Sequence, residues 1–348
     1  MIELAGGRSR VLIVGASWVG DLVMSQVLFK VLAQRYPGLE IDVLAPGFCE
    51  PLLQRMPEVS HTWVFSVGHG EVGLKRRYQL GAQLRGHQYD QAILLPNSFK
   101  SALVPWFAKI PVRTGWRGEM RYGLLNDLRI LDKARLPYMI QRFAALGYAP
   151  QAQDAVLDMA SLPKPSLKVS SEKQMQVLDE LNLTLDLPVL VICPGAEFGE
   201  AKRWPPEHYA AVSQACMEKG WQVWAIGSAK EQAVVAHIEN QLKGYQTFHA
   251  LAGRTNLSQA IDLMACARAI VTNDSGLMHI AAALSKPLVA VYGSTSDQFT
   301  PPLSDQAQVL RLDLECQPCF KRVCPLGHTQ CLKHLMPERV LQALDNRV

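Results

Sequence analysis

The chain has 348 residues, 49% of them hydrophobic and 19% charged, with a formal net charge of +4. That length exceeds one ordinary core and predicts two domains; no run approaches the ~20 apolar residues of a membrane span, and MIELAGGRSRVLIVG lacks a signal peptide's apolar region and cleavage site, so a cytoplasmic location is expected. Residues 1–150 carry 18 Lys and Arg against 11 Asp and Glu, while residues 151–348 carry 17 against 20; a basic half suits an anionic partner, whether nucleic acid, a membrane surface or a phosphorylated glycolipid, with a solvated face as the plainer reading.

In chain order, SRVLIVG is predicted as a strand, Val19 to Tyr36 as a helix, and PGLEIDVLAP as turn and strand, a βαβ opening. The pattern recurs with a strand at Ala92–Leu95 and a helix at Ser98–Ala108. From Pro150 to Pro188 the chain is polar and broken by prolines, with one helix near Glu172–Leu181, and reads as an interdomain connection. Alternation then resumes: strand LPVLVICPG, helix Pro206–Lys219, strand WQVWAIGS, helix Lys230–Leu242, a short strand at FHALAG, helix Leu257–Ala265, strand Ala269–Thr272, a helix at DSGLMH and strand PLVAVYG. The expected fold class is α/β, two Rossmann-like domains facing a cleft, divided as 1–170 and 171–348. No GxGxxG fingerprint and no GxxxxGK[ST] loop is present, which disfavours nicotinamide dehydrogenases and P-loop enzymes.

Four segments lie where strands give way to helices, the edge at which such sheets bind ligands. In GASWVGDLVMSQ, Gly15 and Gly20 bracket a turn and Asp21 falls in the first turn of the next helix, placed either to take a proton from a substrate hydroxyl or to complement the helix dipole. In CPGAEFGEAKRWPPEHY, Gly195 and Gly199 loosen the backbone, and Lys202 and Arg203 offer positive charge to a diphosphate. Gly227 and Ser228 of AIGSAKEQ follow another strand and can hold a ribose or base edge. In VTNDSGLMH, Ser275 and Gly276 open a helix whose free N–H groups can receive a phosphate, with Asp274 before them and Leu277 and His279 within its first turn. Further back, Arg113, Arg117 and Arg121 recur every four residues and would share one face if helical.

Cysteines are of two kinds. Cys49, Cys193, Cys216 and Cys266 stand in apolar surroundings as small core residues. Cys316, Cys319, Cys324 and Cys331 crowd one segment with spacing C-x2-C-x4-C-x6-C, which leaves a structural zinc and unbound or redox-linked thiols as the two readings.

Taken together, SWVGD, the block from LLPNSFK to RYGLLND, PGAEFGEAKRWP, GSAKE and NDSGLMHIAAAL resemble the ADP-heptose:lipopolysaccharide heptosyltransferases of glycosyltransferase family 9, the heptosyltransferase II type in particular, from about Val11 to Pro302. The resemblance implies a GT-B fold and inverting transfer of L-glycero-D-manno-heptose from ADP-heptose to the first heptose of the lipopolysaccharide inner core. It implies Asp21 as general base, Lys202 as the phosphate-contacting lysine, and a donor set of Gly195, Ala196, Lys202, Gly227, Ser228, Asp274, Ser275, Gly276, Leu277 and His279. It also implies acceptor contacts at Asn97, Ser98, Lys100, Arg113, Arg117 and Arg121. Ser275 stands where heptosyltransferase I types usually have threonine, keeping a hydroxyl. No catalytic metal or other cofactor is expected. The expected partners are ADP-heptose, a heptosyl-Kdo2-lipid A acceptor and the anionic inner face of the inner membrane, touched peripherally, and no nucleic acid. The alternatives are a GT-B heptosyltransferase of different acceptor regiospecificity and a non-catalytic nucleotide-sugar-binding protein.

Overall fold

The short apolar runs become inner strands of two parallel sheets, because a strand covered by helices on both faces can expose no polar side. The structure, a computed structural model, describes residues 9–65, 71–150 and 157–347, so part of the polar connection read from the sequence lies outside the described residues. The chain divides into two compact units between Pro165 and Ser166. Leu167 belongs to the second: its N–H donates to the Ala283 carbonyl at 3.0 Å.

The first unit holds β1 (Arg10–Val14), β2 (Glu40–Ala45), β3 (His61–Val64), β4 (Gln91–Leu94), β5 (Val112–Trp116) and β6 (Asp127–Arg129). Their order is β3-β2-β1-β4-β5-β6, with every neighbour parallel. Between and after them come α1 (Val19–Arg35), α2 (Glu50–Leu53), α3 (Leu74–Leu84), α4 (Leu103–Phe107) and α5 (Met139–Ala145). Val11, Leu12 and Ile13 of β1 are wholly buried, and burial of each such side chain contributes roughly 1.5–3 kcal/mol. The helix expected over Ser98–Ala108 is instead a 3-10 turn, Phe99–Ala102, followed by the short α4. Pro105 gives the reason: it has no N–H to donate and fits only the first turn of a helix, which therefore restarts at Leu103.

The second unit opens with α6 (Ser171–Leu181) and carries β7 (Val189–Cys193), α7 (Pro206–Glu218), β8 (Gln222–Ala225), α8 (Gln232–Gln241), β9 (Phe248–Ala250) and α9 (Leu257–Cys266). It continues with β10 (Ala269–Asn273), α10 (Gly276–Ala283), β11 (Leu288–Val291), β12 (Ala307–Leu310), α11 (Gln330–Lys333) and α12 (Pro337–Asp345). The strand order is β12-β11-β10-β7-β8-β9, also parallel throughout. Counted from the first strand of each unit, both sheets run 3-2-1-4-5-6, the doubly wound order in which connections reverse direction between the first and fourth strands. The expected α/β class with two Rossmann-like units is what the chain adopts. Among the described residues no helix is long and apolar enough to cross a membrane.

Candidate active site

The reversal point of the second sheet lies between β7 and β10, and the loops leaving those two strands carry Lys202 and Asp274. They meet: Lys202 Nζ lies 2.7 Å from Asp274 Oδ2, both side chains being largely buried. The Thr295 hydroxyl, from the loop after β11, donates to the same carboxylate oxygen. Ser275 is the N-cap of α10, and its side chain makes no capping hydrogen bond to the helix. A short lysine–aspartate pair thus stands beside a helix N-terminus, and of these the ammonium and the helix N-terminus are the groups that attract an anion.

Asn273, the last residue of β10, holds this edge together. Its amide donates to the Pro194 carbonyl at 2.7 Å and the Gly195 carbonyl at 3.2 Å, and its oxygen accepts from Trp204 N–H at 2.9 Å and Tyr209 O–H at 3.1 Å. All four partners belong to the loop–helix segment that contains Lys202. Asn273→Ala leaves several buried polar groups without partners, so we expect a loss of about 3 kcal/mol in urea unfolding; a change under about 0.5 kcal/mol would contradict this role.

His279, one turn into α10, is buried, and burial pushes its imidazole from 6.5 down to about 4, the Asp274 charge opposing the shift and Lys202 adding to it. The ring is therefore neutral at pH 7, a packing partner behind the pair. Below pH ~6.5 the unfolded chain binds a proton that the folded chain refuses until pH ~4. Stability from this residue is thus lost between those values and flat above them. Urea unfolding of His279→Gln is expected to lose about 2 kcal/mol less than wild type between pH 7 and 4.5; equal losses would contradict it.

The remaining donor-set residues divide by what they can offer. Gly195 and Gly227 make room for Glu231: a Cβ on either would come within 2.5 Å and 2.9 Å of that side chain. Ser228 spends its hydroxyl and N–H on Glu231 Oε2 at 2.6 Å and 2.8 Å, closing a capping box. Ala196 is buried, so its methyl is a packing group. Leu277 is half-buried in the first turn of α10. Glu231, Thr295 and Asn273 escaped the sequence reading. Thr295, in the Gly-Ser-Thr that follows a buried strand, could have been found by the rule that located the others.

In the first unit the reversal lies between β1 and β4. Asp21, half-buried in the first turn of α1, follows β1, while Asn97, Ser98 and Lys100 follow β4. Gly20 is already inside α1; the tight approach belongs to Gly15, whose Cβ would stand 3.3 Å from the Leu44 carbonyl. The arginine face does not form, because Val112–Trp116 is β5 and its β-branched and aromatic residues pack as a strand. Arg113 donates to the Leu124 and Ile110 carbonyls. Arg121 is buried and donates to the Pro96 carbonyl at 2.8 Å, the Trp116 carbonyl and Asn97 Oδ1 at 3.2 Å. Both are structural staples between loops, and of the three only Arg117 is exposed.

Cys49, Cys193 and Cys216 are buried as expected, and burial pushes their thiols up to about 12, 12 and 11; Cys266 is half-buried. Cys316, Cys319, Cys324 and Cys331 line one small cavity with His328. They make no ligand set, however: among the described residues no group of three or more His, Cys, Asp or Glu is placed to hold a metal ion. The Cys324 thiol is instead held below its ordinary range by backbone N–H groups, that of Thr329 foremost, and His328 Nδ1 accepts from Gln330 N–H at 3.0 Å. Of the two readings of this segment, the described residues show the thiols lining a cavity.

Two doubly wound units, the second with a cation–carboxylate pair and a helix N-terminus at its reversal point, define the class of a GT-B nucleotide-sugar enzyme. A sequence profile described as Glycosyltransferase family 9 (heptosyltransferase) matches residues 77–330, and the chain belongs to that family. It is 48% identical over 339 residues to lipopolysaccharide heptosyltransferase 2 of Escherichia coli, with 97% of each chain covered. It is 47% identical over 345 residues to lipooligosaccharide heptosyltransferase 2 of Haemophilus ducreyi, covering 97% of this chain and 98% of that one. The solved structure of E. coli ADP-heptose lipopolysaccharide heptosyltransferase II matches with a TM-score of 0.86 at 46% identity, over 97% of this chain and 98% of that chain.

Proposed function

We propose that this glycosyltransferase moves L-glycero-D-manno-heptose from ADP-heptose to the first heptose of the lipopolysaccharide inner core, with inversion at the anomeric carbon. The observation that carries the reading is the Lys202–Asp274 pair beside the start of α10, in a chain of this family. The acceptor oxygen bonds to the anomeric carbon as the bond from that carbon to the diphosphate breaks, and the acceptor's proton passes to Asp21. Lys202 and the N–H groups at Ser275 and Gly276 take up the charge that develops on departing ADP. Asp274 orients both Lys202 and the heptose. Gly195, Gly227 and Ser228 are assigned to the adenosine side through their backbone, since the Ser228 side chain is bonded to Glu231.

On the acceptor side, Asn97, Ser98, Lys100 and Arg117 are assigned to the phosphorylated glycolipid; Arg113 and Arg121 are withdrawn from that set and support these loops. The basic excess of residues 1–150 favours a peripheral position at the anionic cytoplasmic face of the inner membrane.

Purified protein is to be given ADP-heptose with either heptosyl-Kdo2-lipid A or heptose-free Kdo2-lipid A, in EDTA, and the products weighed by mass spectrometry. One added heptose on the first acceptor alone is expected. Addition to the heptose-free lipid would reassign the regiospecificity, and no addition to either would overturn the reading.

A further inference from the structure

Three loops of the second unit are closed into a ring of backbone hydrogen bonds around the donor lysine. Ala201 N–H donates to the Arg322 carbonyl at 3.1 Å, Ser294 N–H to the Ala201 carbonyl at 3.2 Å, and Phe320 N–H to the Ser294 carbonyl at 2.7 Å. The ring joins the residue before Lys202, the residue before Thr295, and the cysteine-rich segment. Side chains reinforce it: the Arg322 guanidinium and the Lys202 ammonium lie over the same Phe198 ring, at 5.5 Å and 5.1 Å from its centroid. Gly199 is pressed against the segment so closely that a Cβ there would stand 2.3 Å from the Arg322 carbonyl oxygen. Both members of the Lys202–Asp274 pair are thereby tied to one strap, Lys202 through its own loop and Asp274 through Thr295.

We propose that Phe320 and Arg322, within the cysteine-rich segment, are positioning residues of the donor site, holding the Lys202 loop so that ammonium, Asp274 and Thr295 are preset for the diphosphate. The proposal rests on the heptosyl-transfer reading and deepens it. Phe198 is the surface on which the two cations are registered, because a cation is attracted to the face of an aromatic ring. The chemistry is sensitive to this registration, since a displacement of about 1 Å can cost about 10²-fold in rate.

Three variants test it. Gly199→Ala forces the Arg322 carbonyl away, and the expected result is a rise of about tenfold or more in KM for ADP-heptose, with KM for the lipid acceptor unchanged. Arg322→Ala, which alters an exposed side chain, is expected to raise the donor KM about three- to tenfold, and Arg322→Lys to restore it within about twofold, since lysine keeps the cation over Phe198. Hydrogen–deuterium exchange without ligand reads the strap directly: peptides containing Ala201 and Ser294 should exchange faster in Gly199→Ala and Arg322→Ala. Unchanged exchange overturns the strap whatever the kinetics. Faster exchange with an unchanged donor KM, or with donor and acceptor KM rising together, overturns the positioning role and leaves a merely structural one. Wild-type protein that transfers no heptose refutes the proposed function, and the donor-site role with it; variants that match an active wild type refute only the positioning.

Discussion

Lys202→Ala is expected to lower kcat/KM for ADP-heptose by about 10²–10³-fold and to weaken ADP binding in parallel, because it removes the cation that meets charge forming on the leaving diphosphate. A second effect accompanies the first. Asp274 is buried and paired with Lys202 at 2.7 Å, so its carboxylate would be left in the interior without a counter-charge. Unfolding measurements should therefore show Lys202→Ala destabilised by about 3 kcal/mol, with part of the loss recovered in the Lys202→Ala/Asp274→Ala double variant. Activity should not recover in that double variant, since the diphosphate still lacks its cation. Turnover within about threefold of wild type in Lys202→Ala would remove the lysine from the mechanism.

Asp21→Asn should separate chemistry from binding. Removing the proposed base is expected to lower kcat by about 10²–10⁴-fold while the Kd for ADP stays within about twofold of wild type, because Asp21 belongs to the first unit and Lys202, proposed to meet the diphosphate, to the second. Asparagine keeps the shape of the side chain and a hydrogen-bonding oxygen in the first turn of α1, so the backbone there should be undisturbed. If kcat stays near wild type while stability falls slightly, Asp21 is a helix-dipole acid and the base must be sought elsewhere.

The fold was largely legible because its signal is local. Short β-branched runs such as RVLIV and VLVIC, closed by glycine- or serine-bearing breaks, read as buried parallel strands, and the breaks mark the sheet edge where such folds bind ligands. Lys202, Asp274 and Ser275 were singled out as candidates through that rule. What it could not give was their direct pairing, because residues 72 positions apart meet only when β7 and β10 lie side by side. The arginine series failed for a related reason. A spacing of four suggests a helical face, but Val112, Thr114 and Trp116 prefer a pleated surface, and the helix loses once β5 can pair with β4. Arg121 then turns inward to satisfy four oxygens, which no periodicity encodes. Spacing alone left the cysteine segment between two readings: its four thiols reach one cavity, and among the described residues no group of three or more is placed to hold a metal ion. The strap between Arg322, Ala201 and Ser294 was invisible in the sequence, its hydrogen bonds running between main-chain groups far apart in the chain.

The donor's diphosphate is proposed to sit at the reversal point of the second sheet. A crystal structure of the protein with ADP tests it most directly. The predicted result is a diphosphate with its oxygens about 3 Å from Lys202 Nζ and from the N–H groups at the start of α10. A diphosphate seated instead at the Gly15–Asp21 turn of the first unit, or one that leaves Lys202 and Ser275 untouched, would remove the donor from the second unit's reversal point.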